Sequence, residues 1–473
     1  MKKLTTLLLF FVLSLPVLAQ ESEALAARID RIENKISPLF RIEGREVPQY
    51  YIEERLKALG IPGLSIAFVS NGKVEWARAY GMADVAEGRK MTTETMLLAG
   101  SISKPVAALR AHQLVENGTF SLDENVNNYL KTWQVPDNEF TASEKVTLRR
   151  ILNHTAGLTV WGFPGYDKGD KIPTTVEVLD GLGNTDSVRV YKTPGESWMY
   201  SGGGYTIMQL MVEENEPISF VESLQTHVLD PLGMQKSTFA NPLPEAYHGI
   251  AATGYRGNGQ EVEGKWPIYP EMAAAGLWTT PTQLIQYAIE VQRIHQTEQD
   301  GILKYNSVKE MLTPGFNNHG LGPQLSRYTF GHGGADEGFR AQLFGWKDEP
   351  HAIVVMVNSD NGSIMREVIL AVAEEYGLPG IKPNSYKAMD MAAADLEKFT
   401  GKFNVEGLGN CELTLENGQL KITAAFMPRP IMLLAMTEQR FFDESDGTLF
   451  DFKVKDGKVS GFKVDRFTAS RIE

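Results

Sequence analysis

The chain has almost no cysteine: Cys411 stands alone among 473 residues. No disulfide can therefore form within the chain, and no Cys-x-x-Cys metal or redox pair exists. Basic residues are in deficit as well, with 46 Lys and Arg against 59 Asp and Glu, a formal charge of −13. Nucleic acid and anionic membrane surfaces both call for a basic face, so neither is expected as a main partner. Several signature motifs are missing: a Gly-x-Ser-x-Gly elbow, His-Glu-x-x-His, a spaced histidine pair, and a dinucleotide fingerprint after a candidate strand. Their absence argues against an α/β-hydrolase, a zinc hydrolase and a dinucleotide-dependent enzyme, so no cofactor and no metal site are expected. No fixed-period repeat or low-complexity segment interrupts the chain.

Long apolar runs are confined to the amino terminus. Lys2 and Lys3 precede an apolar stretch from Leu7 to Leu18, and Val17-Leu18-Ala19 offers a small-residue cleavage site. A stretch of about a dozen residues is too short to span a bilayer, which needs roughly twenty. The expectation is a cleaved signal peptide over residues 1–19, no membrane span and, with no cysteine near Ala19, no lipid anchor. The mature protein is thus expected in a periplasm or secreted.

What remains is enough for two or three domains. From Leu64 to Tyr80 the pattern reads strand, Asn71-Gly72 turn, strand. A helix is predicted from about Ser101 to Glu116, followed by a long stretch of mostly short helices and loops. Strand character returns at Tyr328 to Phe330, Ala341 to Trp346 and Ala352 to Asn358, and Ser363 to Tyr376 has helical spacing. This order predicts one antiparallel sheet built from both ends of the segment and flanked by helices, an α+β fold with a mostly helical subdomain. After Pro383 come short alternating segments with Asn417-Gly418, Asp446-Gly447 and Asp456-Gly457 as turn signals. Residues 384–473 are read as a separate all-β barrel, and residues 20–383 as the domain before it.

Three clusters can carry chemistry. Ser-x-x-Lys places an ammonium beside a hydroxyl when it lies on a helix, since residues three apart share a face. It occurs at Ser70–Lys73, Ser101–Lys104 and Ser460–Lys463, but only the second opens a predicted helix. The plainer reading there is a serine cap with a solvated lysine. The second cluster is Tyr200-Ser201-Gly202-Gly203-Gly204. Its glycines let a turn pass close to other backbone, and Tyr200 beside an ammonium can serve as a general base or be a buried structural tyrosine. The third is His332-Gly333-Gly334, where a ligand or another backbone can approach closely. His332 either contacts substrate or passes protons to Tyr200, or is a satisfied structural histidine. His154, by contrast, reads as a loop-fixing residue outside the chemistry.

Ser101-x-x-Lys104, Leu152-Asn153-His154-Thr155-Ala156-Gly157-Leu158, Pro194-Gly195 to Tyr200-Ser201, Asp230-Pro231-Leu232-Gly233-Met234 and His332-Gly333-Gly334 together resemble one family. It is the serine β-lactamase-like hydrolases related to class C β-lactamases, D-alanyl-D-alanine carboxypeptidases, D-aminopeptidases and esterases. The resemblance runs from about residue 50 to residue 376, and the tail is similar to the lipocalin-like barrel some members carry. It implies a β-lactamase/transpeptidase-like fold in which Ser101 is acylated while Lys104 and Tyr200 move its proton. It also implies an oxyanion hole from the backbone N–H groups of Ser101 and Ala335, with His332, Gly202, Gly333 and Gly334 facing substrate. Two departures bear on specificity. Family members acting on β-lactams or peptides usually have asparagine where this chain has Gly202, and class C β-lactamases have Lys-Thr-Gly in place of His332-Gly333-Gly334. The resemblance therefore implies a serine hydrolase for a small ester, or an amide or peptide, with a β-lactamase or cell-wall D,D-peptidase as rival. A catalytically silent binding protein is the rival from another class. The expected partner is a small-molecule or peptide substrate, and the sequence leaves the oligomeric state open.

Overall fold

The computed structural model describes residues 14–427, 430–455, 457–465 and 467–472. Most of the expected leader, residues 1–13, lies outside the described residues, and its last six residues begin the Ser14–Glu33 helix. Among the described residues no helix is long and apolar enough to cross a membrane. By their contacts the residues form two units, Ile52–Ile369 and Met1–Tyr51 with Leu370–Glu473.

In the larger unit, Gly63–Ser70 and Ala352–Val357 are short apolar segments rich in β-branched residues, and they pair antiparallel from Ala352–Val69 to Val357–Leu64. Both are buried nearly throughout, as central strands covered on two faces must be. Asn71 and Gly72, with φ of 51° and 70°, supply the turn conformation that a two-residue hairpin requires. The seven-stranded sheet runs Arg89–Lys90, Lys73–Asp84, Gly63–Ser70, Ala352–Val357, Phe339–Trp346, Thr329–Asp336, Gln324–Leu325. The two chain ends of the segment thus meet at the sheet centre, as the sequence order predicts.

Helix Pro281–Thr297 packs against the central strands, started by the Thr280 side chain accepting the Gln283 N–H and by proline at its first position. Helix Ser103–Glu116 is buried on nearly every side, so it shows almost no polar stripe. One charge it buries is paired: Arg110 binds Glu216 and donates to Ser223 Oγ at 2.9 Å. His112 Nε2 bonds the Leu321 carbonyl at 3.0 Å. The helical subdomain adds Gly202–Asn215 and several short helices.

In the other unit, Arg31 pairs with Glu375 at 2.6 Å, and Phe40–Ile42 forms a parallel pair with Asn384–Tyr386. These contacts group the segment before Ile52 with the barrel strands in one unit. Eight antiparallel strands close the barrel. Five coincide with alternating segments of the sequence, Lys402 to Val405, Glu412 to Leu415, Gln419 to Thr423, Thr448 to Val454 and Lys458 to Val464; Ile431–Ala435, Arg440–Asp443 and Phe467–Arg471 are not expected from it, being short and lacking a clean alternation. Phe403, Phe441, Phe450, Phe452 and Phe462 fill the interior, and Phe399 on the turn before the first strand packs edge-on to Phe441 with centroids 4.9 Å apart. Cys411 lies among them, its thiol pushed up to about 11 by burial.

Candidate active site

Ser101 lies in a 3-10 turn, Gly100–Ile102, that leads into the Ser103–Glu116 helix. The sequence placed it on the helix itself, but the tighter turn still brings the two side chains together. Lys104 Nζ donates to Ser101 Oγ at 3.1 Å and to the Ala274 carbonyl at 2.8 Å, and the lysine is only 2% exposed. The other two Ser-x-x-Lys matches lie across the hairpin turn and within the Lys458–Val464 strand. Ser103 Oγ clamps the turn, donating to the Gly100 carbonyl at 2.6 Å and accepting from the Leu277 N–H at 3.0 Å. Gly100 has φ of +53°, and a Cβ there would stand 2.5 Å from the Ala335 nitrogen. Only glycine allows the Ser101 turn and the Thr329–Asp336 strand to meet this closely.

Tyr200 precedes the second glycine-rich element. Ser201 caps the Gly202–Asn215 helix, accepting the Gly204 N–H at 3.1 Å and donating to the Thr159 carbonyl at 2.7 Å. The Gly202 and Gly203 N–H groups donate to the Trp161 and Val160 carbonyls at 3.2 and 3.1 Å. A segment thus lies flat on the first helical turn, as the glycines suggested. A Cβ on Gly202 would meet the Phe163 ring at 2.8 Å, so that space is already taken. The Tyr200 ring lies 4.2 Å from His154, 5.7 Å from Trp161 and 6.0 Å from His332, centroid to centroid, with Lys104 Nζ 5.0 Å from its centre. His154 Nδ1 accepts the Ser201 N–H at 3.2 Å, which fixes the tyrosine loop from beneath.

His154, His319 and His332 bring ring nitrogens within 4.8 Å of one another, a cluster the sequence hides because its members are far apart. The hydrogen bonds decide what it offers. His332 Nδ1 donates to the Gly333 carbonyl at 2.6 Å, leaving Nε2 as an acceptor. His154 already uses Nδ1 as an acceptor, so its buried, unpartnered Nε2 carries a proton. The trio is therefore not a set of three lone pairs, and as arranged it suits hydrogen bonding better than a metal ion. Burial, with Lys104 nearby, holds His332 down at about 3 and His319 at about 4, and His154 well below its usual range. All three are neutral near pH 7.

Two buried carboxyls escaped the sequence reading. Asp336 is buried with Oδ2 unpartnered, and burial lifts it to about 8 against the pull of Lys104, Arg340 and a hydrogen bond from the Gly100 backbone. Glu271 is wholly buried with neither carboxyl oxygen partnered, and burial lifts it to about 8. Strand alternation does put Asp336 on the face of His332 and Gly334. Nothing comparable marked Glu271, which reads as an ordinary surface charge.

Ser101, Lys104, Tyr200, His332, Gly333, Gly334 and Ala335 line one cavity of about 490 Å³, together with Trp161 and Phe163. Of the residues singled out from sequence, Gly202 alone does not, being covered by Phe163. A cavity of about 600 Å³ elsewhere in the same unit, lined by Arg89, Lys168 and Trp266, holds none of them.

Residues 49–376 match the family model described as Beta-lactamase. The chain is similar to a penicillin-binding protein of Bacillus subtilis (strain 168), 23% identical over 431 residues, 84% of this chain and 91% of that one. It is 26% identical to the teichoic acid D-alanine hydrolase of Staphylococcus aureus over 269 residues, 56% of this chain and 64% of the relative. The octameric penicillin-binding protein homologue from Pyrococcus abyssi superposes with a TM-score of 0.61 at 22% identity, covering 89% of this chain and 98% of that one. D-amino acid amidase from Ochrobactrum anthropi superposes with a TM-score of 0.53 at 22% identity, covering 68% and 97%. At these identities the two solved structures show a common fold.

Proposed function

The chain belongs to the beta-lactamase family of serine hydrolases, and from that membership we propose that it is an exported hydrolase forming an acyl-enzyme on Ser101. Its substrate is a small ester in preference to an amide or peptide. The observation that carries this reading is the buried Lys104 ammonium 3.1 Å from Ser101 Oγ, in a cavity that also exposes Tyr200. Ser101 Oγ adds to the substrate carbonyl carbon as its proton passes to the Lys104–Tyr200 pair. The charge on the carbonyl oxygen is taken by the Ser101 and Ala335 N–H groups, each donor typically worth about 3–4 kcal/mol in the transition state. The leaving alcohol takes up the proton, and water then releases the acid by the reverse path. His332, neutral and bonded through Nδ1 to Gly333, offers Nε2 as an acceptor on the cavity wall.

The preference for esters rests on Gly202 and Phe163, since a ring stands where an amide-binding side chain would project. The name of the Staphylococcus aureus relative, a D-alanine hydrolase, is in keeping with small acyl substrates. Fluorophosphonate labelling tests the reading: wild type is labelled and Ser101→Ala is not. A panel of p-nitrophenyl esters, D-amino-acid amides, D-Ala-D-Ala peptides and a chromogenic cephalosporin tests the substrate. Turnover of the cephalosporin or the peptide in preference to every ester overturns the ester assignment. Absence of Ser101-dependent labelling favours the binding protein. Export is checked by sequencing the amino terminus of the secreted product, expected after Ala19.

A further inference from the structure

At the cavity mouth Trp161 is 73% exposed, the most exposed large hydrophobic side chain among the described residues. Leaving an indole in water has no benefit to folding, and its backbone is held there at a cost. Val160 has φ of +60°, and a β-branched residue in the left-handed region is a genuine outlier. Strain of this kind persists where surrounding structure imposes it, and it clusters at ligand clamps. Here the imposing contacts are identifiable: the carbonyls of Thr159, Val160 and Trp161 accept from the Ser201 hydroxyl and from the Gly203 and Gly202 N–H groups. The neighbouring Phe163 ring, half-buried in the cavity wall, fills the space over Gly202. Trp161 thus stands 5.7 Å from Tyr200, ring centre to ring centre, with Phe163 in the same cavity wall, and the Tyr200 ring centre is 5.0 Å from Lys104 Nζ.

The remaining lining says what they can hold. Its only Lys, Arg, Asp or Glu side chains are Lys104, committed to Ser101 and Ala274, and Asp336, buried and bonded to the Gly100 backbone. Neither offers a counter-charge to a substituent, and the Lys104 cation disfavours an ammonium. We propose that Trp161 and Phe163 form an aryl-binding subsite that selects substrates with a neutral, planar apolar group next to the scissile carbonyl. Trp161 is the outer face of this clamp and Phe163 the inner. The inference rests on the serine-hydrolase reading above and adds the substrate's side group to it.

The test compares kcat/KM for p-nitrophenyl phenylacetate with p-nitrophenyl acetate, and for benzyl acetate with methyl acetate. The first pair varies the acyl side and the second the alcohol side. Wild type should favour the aryl member of at least one pair by about tenfold or more, the range that one hydrophobic pocket gives. Trp161→Ala and Phe163→Ala should each collapse that ratio, and Trp161→Phe should keep most of it. A merely structural role would slow both members of a pair alike and leave the ratio intact. Equal kcat/KM within both pairs in wild type overturns the subsite, as does a ratio that survives both alanine variants with unchanged melting temperatures. If wild type hydrolyses no ester, the hydrolase reading fails by itself. The subsite is then judged by calorimetry with phenylboronic and methylboronic acids: tighter aryl binding lost in Trp161→Ala supports it, and equal affinity overturns it.

Discussion

Glu271 makes the sharpest quantitative prediction. Both of its oxygens are buried and unpartnered, and its carboxyl is lifted from 4.5 to about 8. In the unfolded chain the proton leaves near its ordinary value, while in the folded chain it stays until about pH 8. Between those points the folded state binds one more proton than the unfolded state, so stability falls as pH rises. Each pH unit in that window costs about 1.4 kcal/mol. At pH 7 the interval is 7 − 4.5 = 2.5, which gives a ceiling of about 3 kcal/mol. Glu271→Gln keeps the shape and removes the titration. Urea unfolding of both proteins at pH 5, 6, 7 and 8 reads the effect. Their difference should move in the variant's favour by up to about 1.4 kcal/mol per unit, whatever its sign at pH 5. Parallel pH profiles would refute the reasoning, because a carboxyl already ionised in the folded state has nothing left to lose.

Ser101→Ala and Lys104→Ala should each remove nearly all ester turnover, and the double variant should lose no more, because a nucleophile and its proton acceptor act as one unit; steady-state rates check this. Gly100→Ala should cost about 1–2 kcal/mol from its left-handed backbone alone, and should cut kcat more than stability suggests, since its Cβ pushes on Ala335. Gly202→Asn should lower the melting temperature through its clash with Phe163, whereas Gly202→Asn with Phe163→Ala should fold and raise the amide-to-ester rate ratio; an unmoved ratio in that folded variant removes Gly202 from the specificity argument. In acid the sign reverses. His332 and His319, held neutral down to about 3 and 4, lose stability as pH falls from about 6.5, so acid unfolding should shift to lower pH in His319→Asn.

The sheet was legible because its signals are local: an Asn-Gly turn, an apolar run, a helix ended by Gly377. Of the eight positions named from the sequence, all but Gly202 line one cavity. What escaped depends on separation in the chain. His319 joins His154 and His332 only through the fold, and Glu271 is anomalous only because no partner faces it. Gly202 was read correctly as a close approach of backbone, but the ring that covers it comes from 39 positions earlier, Phe163, and no spacing rule connects the two. The barrel strands that went unread are short, four or five residues without a clean alternation.

The filled barrel has a practical corollary. A cup that holds a ligand needs an empty interior, but here phenylalanine rings occupy it. With the lone thiol of the chain sealed among those rings, the barrel contains its own clock. Cys411 is 4% exposed and its thiol is held at about 11, so a soluble disulfide reagent meets little thiolate in the closed barrel and reacts faster when strands part. The rate at which the native protein reacts therefore reports how often this one unit breathes, with no background from any other sulfhydryl.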